Sequence, residues 1–459
     1  MPRIVIAGTQ SGTGKTSLAL ALVASLKRRG LRIQTFKVGP DFLDPSYLAV
    51  ASGRPCYNLD GWMASRQYVL ELFHRTTKDV DMAVIEGVMG LFDGSDPATS
   101  EGSTAEMAGW LDAPVLLAVN VHGMARSLAA IVKGCVEFDR VLKIGGIIAN
   151  HSGSHHHKDW LTQSLGSASL PPLLGAIPRG ALPMLPRRHL GLITADPQNL
   201  PPRILEELAD VLEKHLSLET ITQIARSAPP LFVPEIGRET HLGQKRVSIG
   251  VAYDRAFHFY YPDNLDELAL RGCDLIRFSP LKDRCLPEDL DGLYLGGGYP
   301  EEYAEALADN QEMQEAIRQF AKRGLPVYAE CGGLMYLSQG IRTFDGKEYS
   351  MVGLLPKWSR MLGRLKSLGY VEVTLTADSL WGIRGESIRG HEFHYSELMG
   401  DPLENGLWKG VYRIRHRHSK IFKVEGYQQG NILASYVHLH WASQPEAIES
   451  FINHCGAKL

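Results

Sequence analysis

A junction near the start of the chain constrains its folding most. A short apolar run, Ile4–Ala7, breaks into Gly8-Thr9-Gln10-Ser11-Gly12-Thr13-Gly14-Lys15-Thr16 and leads into a helical stretch, Lys15–Arg29, closed by Gly30. A strand that turns through small residues directly into a helix belongs to a sheet whose strands are joined by crossover helices. The next candidate strands keep that rhythm: Ile33–Val38, Met82–Ile85, Val115–Val121, Ile144–Ala149 and Leu173–Ile177. Several are apolar throughout, as a parallel sheet covered on both faces requires. The expected fold is α/β, doubly wound around a phosphate loop.

Residues 225–244 change texture, with Pro229, Pro230 and Pro234 followed by the polar Gly237-Arg238-Glu239-Thr240-His241. Val247–Tyr253 then begins a new strand. The expected organisation is a nucleotide-binding domain over 1–225, a linker over 226–245 and a second α/β domain over 246–459. At 459 residues the chain is too long for one ordinary core. Second-domain strands are expected at Leu275–Phe278, Gly292–Leu295, Pro326–Ala329 and Ile432–His438, with short β runs across 350–415. The stretch His151-Ser152-Gly153-Ser154-His155-His156-His157 is read as a solvated loop.

Net charge is −3, so no basic field recruits nucleic acid. No apolar run reaches the roughly 20 residues of a membrane helix, and Met1-Pro2-Arg3-Ile4 enters a strand with no signal-like segment. The six cysteines lack metal spacing. A cytoplasmic enzyme with reduced thiols is the expectation.

A phosphate loop needs small residues so that backbone N–H groups can converge on an anion, a lysine for the β/γ-phosphates and a hydroxyl for Mg²⁺. Gly12, Gly14, Lys15 and Thr16 meet these needs, with Thr9 and Thr13 beside them by loop position. Gly8 to Gly14 is one residue longer than the standard spacing. Acidic residues follow at strand ends, where ligands of such sheets bind: Asp41, Glu86 and Asp93. Asp41 and Glu86 are candidates, with Thr16, to hold Mg²⁺; Asp41 and Asp93 also suit turns. Lys37 is placed to neutralise a phosphate or substrate carboxylate, and Asn150 to meet a base edge.

The second informative junction is Pro326-Val327-Tyr328-Ala329-Glu330-Cys331-Gly332-Gly333. An apolar strand breaks at a cysteine into a helix-like stretch, Leu334–Leu337, which is the geometry of a nucleophile elbow. The helix N-terminus is expected to stabilise the thiolate. The best base is His438, and Gly297 and Gly298 in Gly296-Gly297-Gly298 offer unhindered N–H groups for an oxyanion hole. Chain order leaves His438 and His440 as competing bases. Gly390-His391-Glu392-Phe393-His394-Tyr395-Ser396 is a further polar cluster without an assigned role.

Together these motifs resemble the cobyrinate a,c-diamide synthase family across nearly the whole chain. Lys37–Asp41, Ile85–Gly94 and Arg188-His189-Leu190-Gly191-Leu192 match its stretches. The first half resembles a dethiobiotin-synthetase-type domain, which shares the longer loop, and the second a class I triad glutamine amidotransferase. The resemblance implies that ATP phosphorylates a carboxylate with Lys15 and Mg²⁺ carrying charge, and that Asp41, Glu86 and Asp93 act on metal or substrate. Cys331 releases ammonia from glutamine, and amides form at the a and c positions of a corrinoid macrocycle. The implied partners are small molecules: macrocycle, glutamine and ATP, with a homodimer left open. The family's acid two residues after the base histidine is here His440, so the third triad member is unassigned. The near alternative is a sibling macrocycle amidotransferase, acting on nickel-sirohydrochlorin or resembling cobyric acid synthase. The remote one is a P-loop regulatory ATPase with an inactive amidotransferase module, which has no need of both Cys331 and His438.

Overall fold

The computed structural model describes residues 1–185, 187–188, 191–192, 195, 200–233 and 247–457. His189 and Leu190 of the Arg188–Leu192 stretch, the polar Gly237–His241 and the linker beyond residue 233 lie outside the described residues. The chain divides into two compact units, Met1–Ile236 and Gly237–Leu459.

The main sheet of the first unit has seven strands: β1 (Arg3–Gly8), β2 (Ile33–Val38), β3 (Tyr57–Leu59), β4 (Met82–Glu86), β5 (Val115–Asn120), β6 (Ile144–Ser152) and β7 (Leu173–Pro178). They lie in the order β3-β2-β4-β1-β5-β6-β7, and every pairing is parallel. β1, β2 and β4 are buried along their full length, because helices cover both faces. The first crossover helix, α1 (Lys15–Arg28), ends at Gly30, whose left-handed backbone lets its N–H reach the carbonyl of Lys27 at 2.8 Å.

The chain runs from β1 to one side of the sheet and from β4 to the other, so the crevice opens where these two strands end. There Leu91 N donates to Gly8 O at 2.7 Å, joining the loop after β4 to the phosphate loop. β3 has three residues, too few for a hydrophobic period to register. It matters because Asn58 on it donates to the carbonyls of Gly39 (2.7 Å) and Asp41 (2.8 Å), fixing the loop that enters α2 (Leu43–Ser52). The buried guanidinium of Arg3 donates to Pro229 O at 2.7 Å, tying that proline to the first unit. The triple histidine is not in a loop: His155 begins a helix running to Ser167, with Ser154 Oγ accepting from His157 N as its cap.

In the second unit a ten-stranded sheet joins β8 (Ser248–Ala252), β9 (Asp274–Phe278), β10 (Gly292–Leu295), β11 (Val327–Glu330), β12 (Ser367–Leu375), β13 (Ser387–His394), β14 (Lys409–His416), β15 (Phe422–Gln429), β16 (Ile432–Ser435) and β17 (His438–Leu439). The order is β9-β8-β10-β11-β16-β15-β14-β12-β13-β17. Pairings are parallel from β9 to β16 and antiparallel beyond. Ile432–His438, expected as one strand, is therefore two. Ser435 Oγ accepts from Val437 N at 3.0 Å, and Tyr436 N donates to buried Glu425 at 2.7 Å. These side-chain bonds replace ladder bonds and break the strand. Residues 435 and 438 lie at most about 11 Å apart. β17, at the end of the order, must then return close to β16 in its middle, so the sheet coils back on itself. Trp381, Trp441, Phe451, Tyr294 and Tyr328 pack as one aromatic cluster within it.

Candidate active sites

The phosphate loop is held from several sides. Gly14 has φ +91°, and a Cβ there would run into the side-chain amide of Asn150. That amide donates to Thr13 O at 2.9 Å, and its oxygen accepts from His151 N. Asn150, expected at a base edge, thus braces the loop. Gly12 is also left-handed, at φ +78°, and Thr13 Oγ1 donates to Gln10 O. Thr9 N donates across to Ala118 O on β5 at 3.2 Å.

Lys15 is buried and donates to the carbonyls of Gln10 and Met89. Burial, then the charge of Lys37, lowers its pKa. Thr16 Oγ1 donates to Glu86 Oε1 at 2.6 Å, and Lys37 Nζ reaches the same oxygen at 3.1 Å and Asp44 Oδ2 at 2.7 Å. Glu86 Oε2 is buried with no hydrogen-bond partner. Burial and the neighbouring Asp44 push Glu86 up to about 7 and Asp41 up to about 6. Burial works the same way on Asp44, but Lys37 outweighs it and holds that carboxyl below its usual range. The crevice therefore packs three acids around one lysine. Asp41 accepts from Leu43 N and Asp44 N, both at 3.0 Å, capping α2, and Asp93 accepts from Gly90 N at 2.9 Å, closing the loop after β4. Asp44 was missed in the sequence because it reads there as an ordinary first-turn acid.

Cys331 joins β11 to a one-and-a-half-turn helix, Gly332–Leu337, with φ 47° and ψ −99°. A non-glycine residue in that region is strained and is held in place from outside, here by Cys331 N donating to Ser435 O at 2.7 Å. A Cβ on Gly333 would strike Leu295 O, and one on Gly332 would lie 3.0 Å from Gly298 N. The turn thus sits directly against the glycine end of β10. Gly298 is at φ +152° beside Ala256 O, and Gly297 lies against His438 Cε1. The expected stabilisation of the thiolate is not the dominant effect. Burial, followed by the charge of Glu301, drives the Cys331 thiol well above its ordinary range, and the Gly332 amide opposes this only in part. The burial of Cys331 thus favours its thiol form over its thiolate.

Antiparallel pairing puts His438 opposite His391, with the two rings stacked at 5.1 Å. His391 Nδ1 lies 2.7 Å from Tyr261 OH. His438 Nδ1 is 3.5 Å from Glu330 Oε2, whereas His440 Nε2 is 3.2 Å from Asp263 Oδ2. The rest of the 390–396 cluster forms a separate network. Glu392 accepts from Ser367 at 2.7 Å and pairs with His416 at 3.0 Å, while His394 stacks on Tyr436. Burial would raise the Glu392 carboxyl, but its histidine partners hold it well below the carboxylate range.

Two family models match the chain. One is described as a CobQ/CobB/MinD/ParA nucleotide binding domain, over residues 4–192, and the other as a CobB/CobQ-like glutamine amidotransferase domain, over 248–446. The chain is 54% identical to the cobyrinate a,c-diamide synthase of Syntrophotalea carbinolica, covering 99% of this chain and 98% of that one. It is 46% identical to the enzyme of that name from Leptospira interrogans, over 99% and 98%, and 39% identical to that of Archaeoglobus fulgidus, over 98% and 97%. With both family models matched in order and relatives aligned end to end, the chain belongs to the cobyrinate a,c-diamide synthase family.

Proposed function

We propose that this enzyme amidates the a and c carboxylates of cobyrinate or hydrogenobyrinate, using ATP and nitrogen drawn from glutamine. One observation carries the reading: a single chain holds a braced phosphate loop with two buried lysines and a cysteine elbow beside a glycine strand end and a histidine. ATP phosphates would lie on the N–H groups of residues 12–16. Lys15 and Lys37 offset the charge that spreads over the transferring phosphoryl group, and the substrate carboxylate becomes an acyl phosphate. At the other site His438 takes the Cys331 proton, the thiolate attacks the glutamine amide, and Gly297 and Gly298 offer N–H groups to the oxyanion. The released ammonia displaces phosphate from the acyl phosphate, forming the amide, and the cycle repeats on the second carboxylate.

Mg²⁺ is implied. Among the described residues no three His, Cys, Asp or Glu side chains form a metal cage. Mg²⁺ asks for less, taking one or two carboxylates with water and phosphate oxygens. The unpartnered Glu86 Oε2 beside the Thr16 hydroxyl suits it; Thr16, Glu86 and Asp41 would hold it. When bound, the ion supplies positive charge beside the phosphates.

The test is mass spectrometry of cobyrinic acid incubated with enzyme, ATP, Mg²⁺ and glutamine. A product with two carboxylate-to-amide conversions, dependent on every component, is expected. Glutamine hydrolysis without that product would move the assignment to a metal-free or nickel macrocycle.

A further inference from the structure

We infer that Glu330, the residue immediately before the nucleophile, does the work of the carboxylate missing two residues after His438: it orients the imidazole that deprotonates Cys331. This rests on the Cys331–His438 reading and names a positioning residue for it.

The usual position is filled by His440, whose ring is drawn to Asp263 at 3.2 Å and packs on Tyr261. Glu330 reaches His438 from another strand. Its Oε2 lies 3.5 Å from His438 Nδ1, and its Oε1 accepts from Leu439 N at 3.2 Å. One carboxylate thus faces the ring and holds the backbone beside it. Its own position is fixed by two phenols, Tyr294 OH at 3.0 Å to Oε2 and Tyr328 OH at 2.7 Å to Oε1. Tyr294 and Tyr328 are paired across β10 and β11, and strand alternation puts Glu330 on the same face as Tyr328. A buried carboxylate is tolerated only when donors converge on it, and here the donors are built in. A carboxylate facing Nδ1 at 3.5 Å favours a proton on that nitrogen and leaves Nε2 to handle the proton of the reaction. Nε2 is on the glycine side, 3.3 Å from where a Gly297 Cβ would lie.

The step balances without another reagent. The thiol proton passes to His438 Nε2 as sulfur bonds to the amide carbon of glutamine. The C–N bond breaks and the nitrogen leaves with that proton as ammonia. Water then cleaves the C–S bond, giving glutamate and restoring the thiol. While His438 carries the extra proton, Glu330 faces its Nδ1–H.

Glu330→Gln keeps shape and removes charge. The expected result is a loss of roughly 10²-fold in kcat with glutamine, a largely unchanged KM for glutamine, as for an interaction made only in the transition state, and unchanged amidation with free ammonia. Removing a carboxylate from an imidazole favours its neutral form, so the acid limb of kcat/KM for glutamine moves to lower pH. Glu330→Asp recovers part of the rate. Unchanged glutamine kcat, or a loss with no movement of the acid limb, overturns the inference. So does an acid limb that moves in Asp263→Asn but not in Glu330→Gln, since that would make His440 the oriented base. If Glu330→Gln does not fold, Tyr294→Phe serves, removing one donor to Glu330: a smaller loss specific to glutamine is expected, and none overturns the role. Failure of the underlying reading is seen separately, as glutamine use that survives Cys331→Ala.

Discussion

At the scale of the residue, the crevice beyond β1 and β4 holds carboxylates at an electrostatic cost. Glu86 is fully buried, and burial with Asp44 beside it pushes its carboxyl up to about 7 from an ordinary 4.5. A carboxyl raised on folding favours the native state while protonated, so its contribution falls as pH rises through that interval. The ligand-free protein should therefore lose stability between about pH 4.5 and 7. Glu86→Gln should remove much of that slope and melt higher than the parent at pH 8, by up to about 3 kcal/mol, while losing amidation. Calorimetry across that range checks it; parallel melting profiles for the two proteins would contradict the burial argument. The places of Lys15, Thr16 and Cys331 at strand-to-helix turns were legible because each turn is made by immediate neighbours in the chain. Asp44, Asn58 and Asp263 were not, because their partners come from elsewhere in the fold: Lys37 seven residues away, Gly39 nineteen, and His440 on a distant element. Glu330 stood in view beside Cys331, yet its partner His438 is over a hundred residues away.

At the scale of the element, glycines mark where backbones meet. Gly333 sits inside a helix, where alanine normally stabilises by about 1 kcal/mol. Here a Cβ would meet Leu295 O on β10, a backbone atom that cannot swing aside. The sign should reverse: Gly333→Ala is expected to lose at least about 2 kcal/mol and to lose glutamine use. Thermal melting with a glutaminase assay decides, and a melting point at or above the parent's would show that the turn can relax. The strand ending in His438 carries the same lesson. Its composition reads as one apolar strand, but Ser435 and Glu425 take its backbone N–H groups and split it. That break moves His438 onto β17, opposite His391. The β3 strand escaped notice for the simpler reason that three residues carry no period.

At the scale of the whole molecule, two chemistries sit in two units, and they should separate by substitution. Cys331→Ala is expected to abolish amidation from glutamine and to keep amidation from ammonia, because the synthetase chemistry does not pass through the thiol. Lys15→Ala should lower amidation by about 10²-fold or more from either source. Product quantified by mass spectrometry with each nitrogen donor tests both, and substantial ammonia-driven product in Lys15→Ala would remove the phosphate loop from the reaction. The sequence by itself determined the parallel α/β character of the first half, the phosphate loop and the cysteine elbow, because each depends on residues adjacent in the chain and on small side chains where backbones turn. Only the tertiary structure decided the partners of those motifs: that Asn150 braces the loop, that Asp44 completes the lysine cluster, that Cys331 is buried, and that Glu330 rather than residue 440 faces His438. These depend on strand order and on a sheet that coils back on itself, and such long-range register is written in no local stretch of the chain.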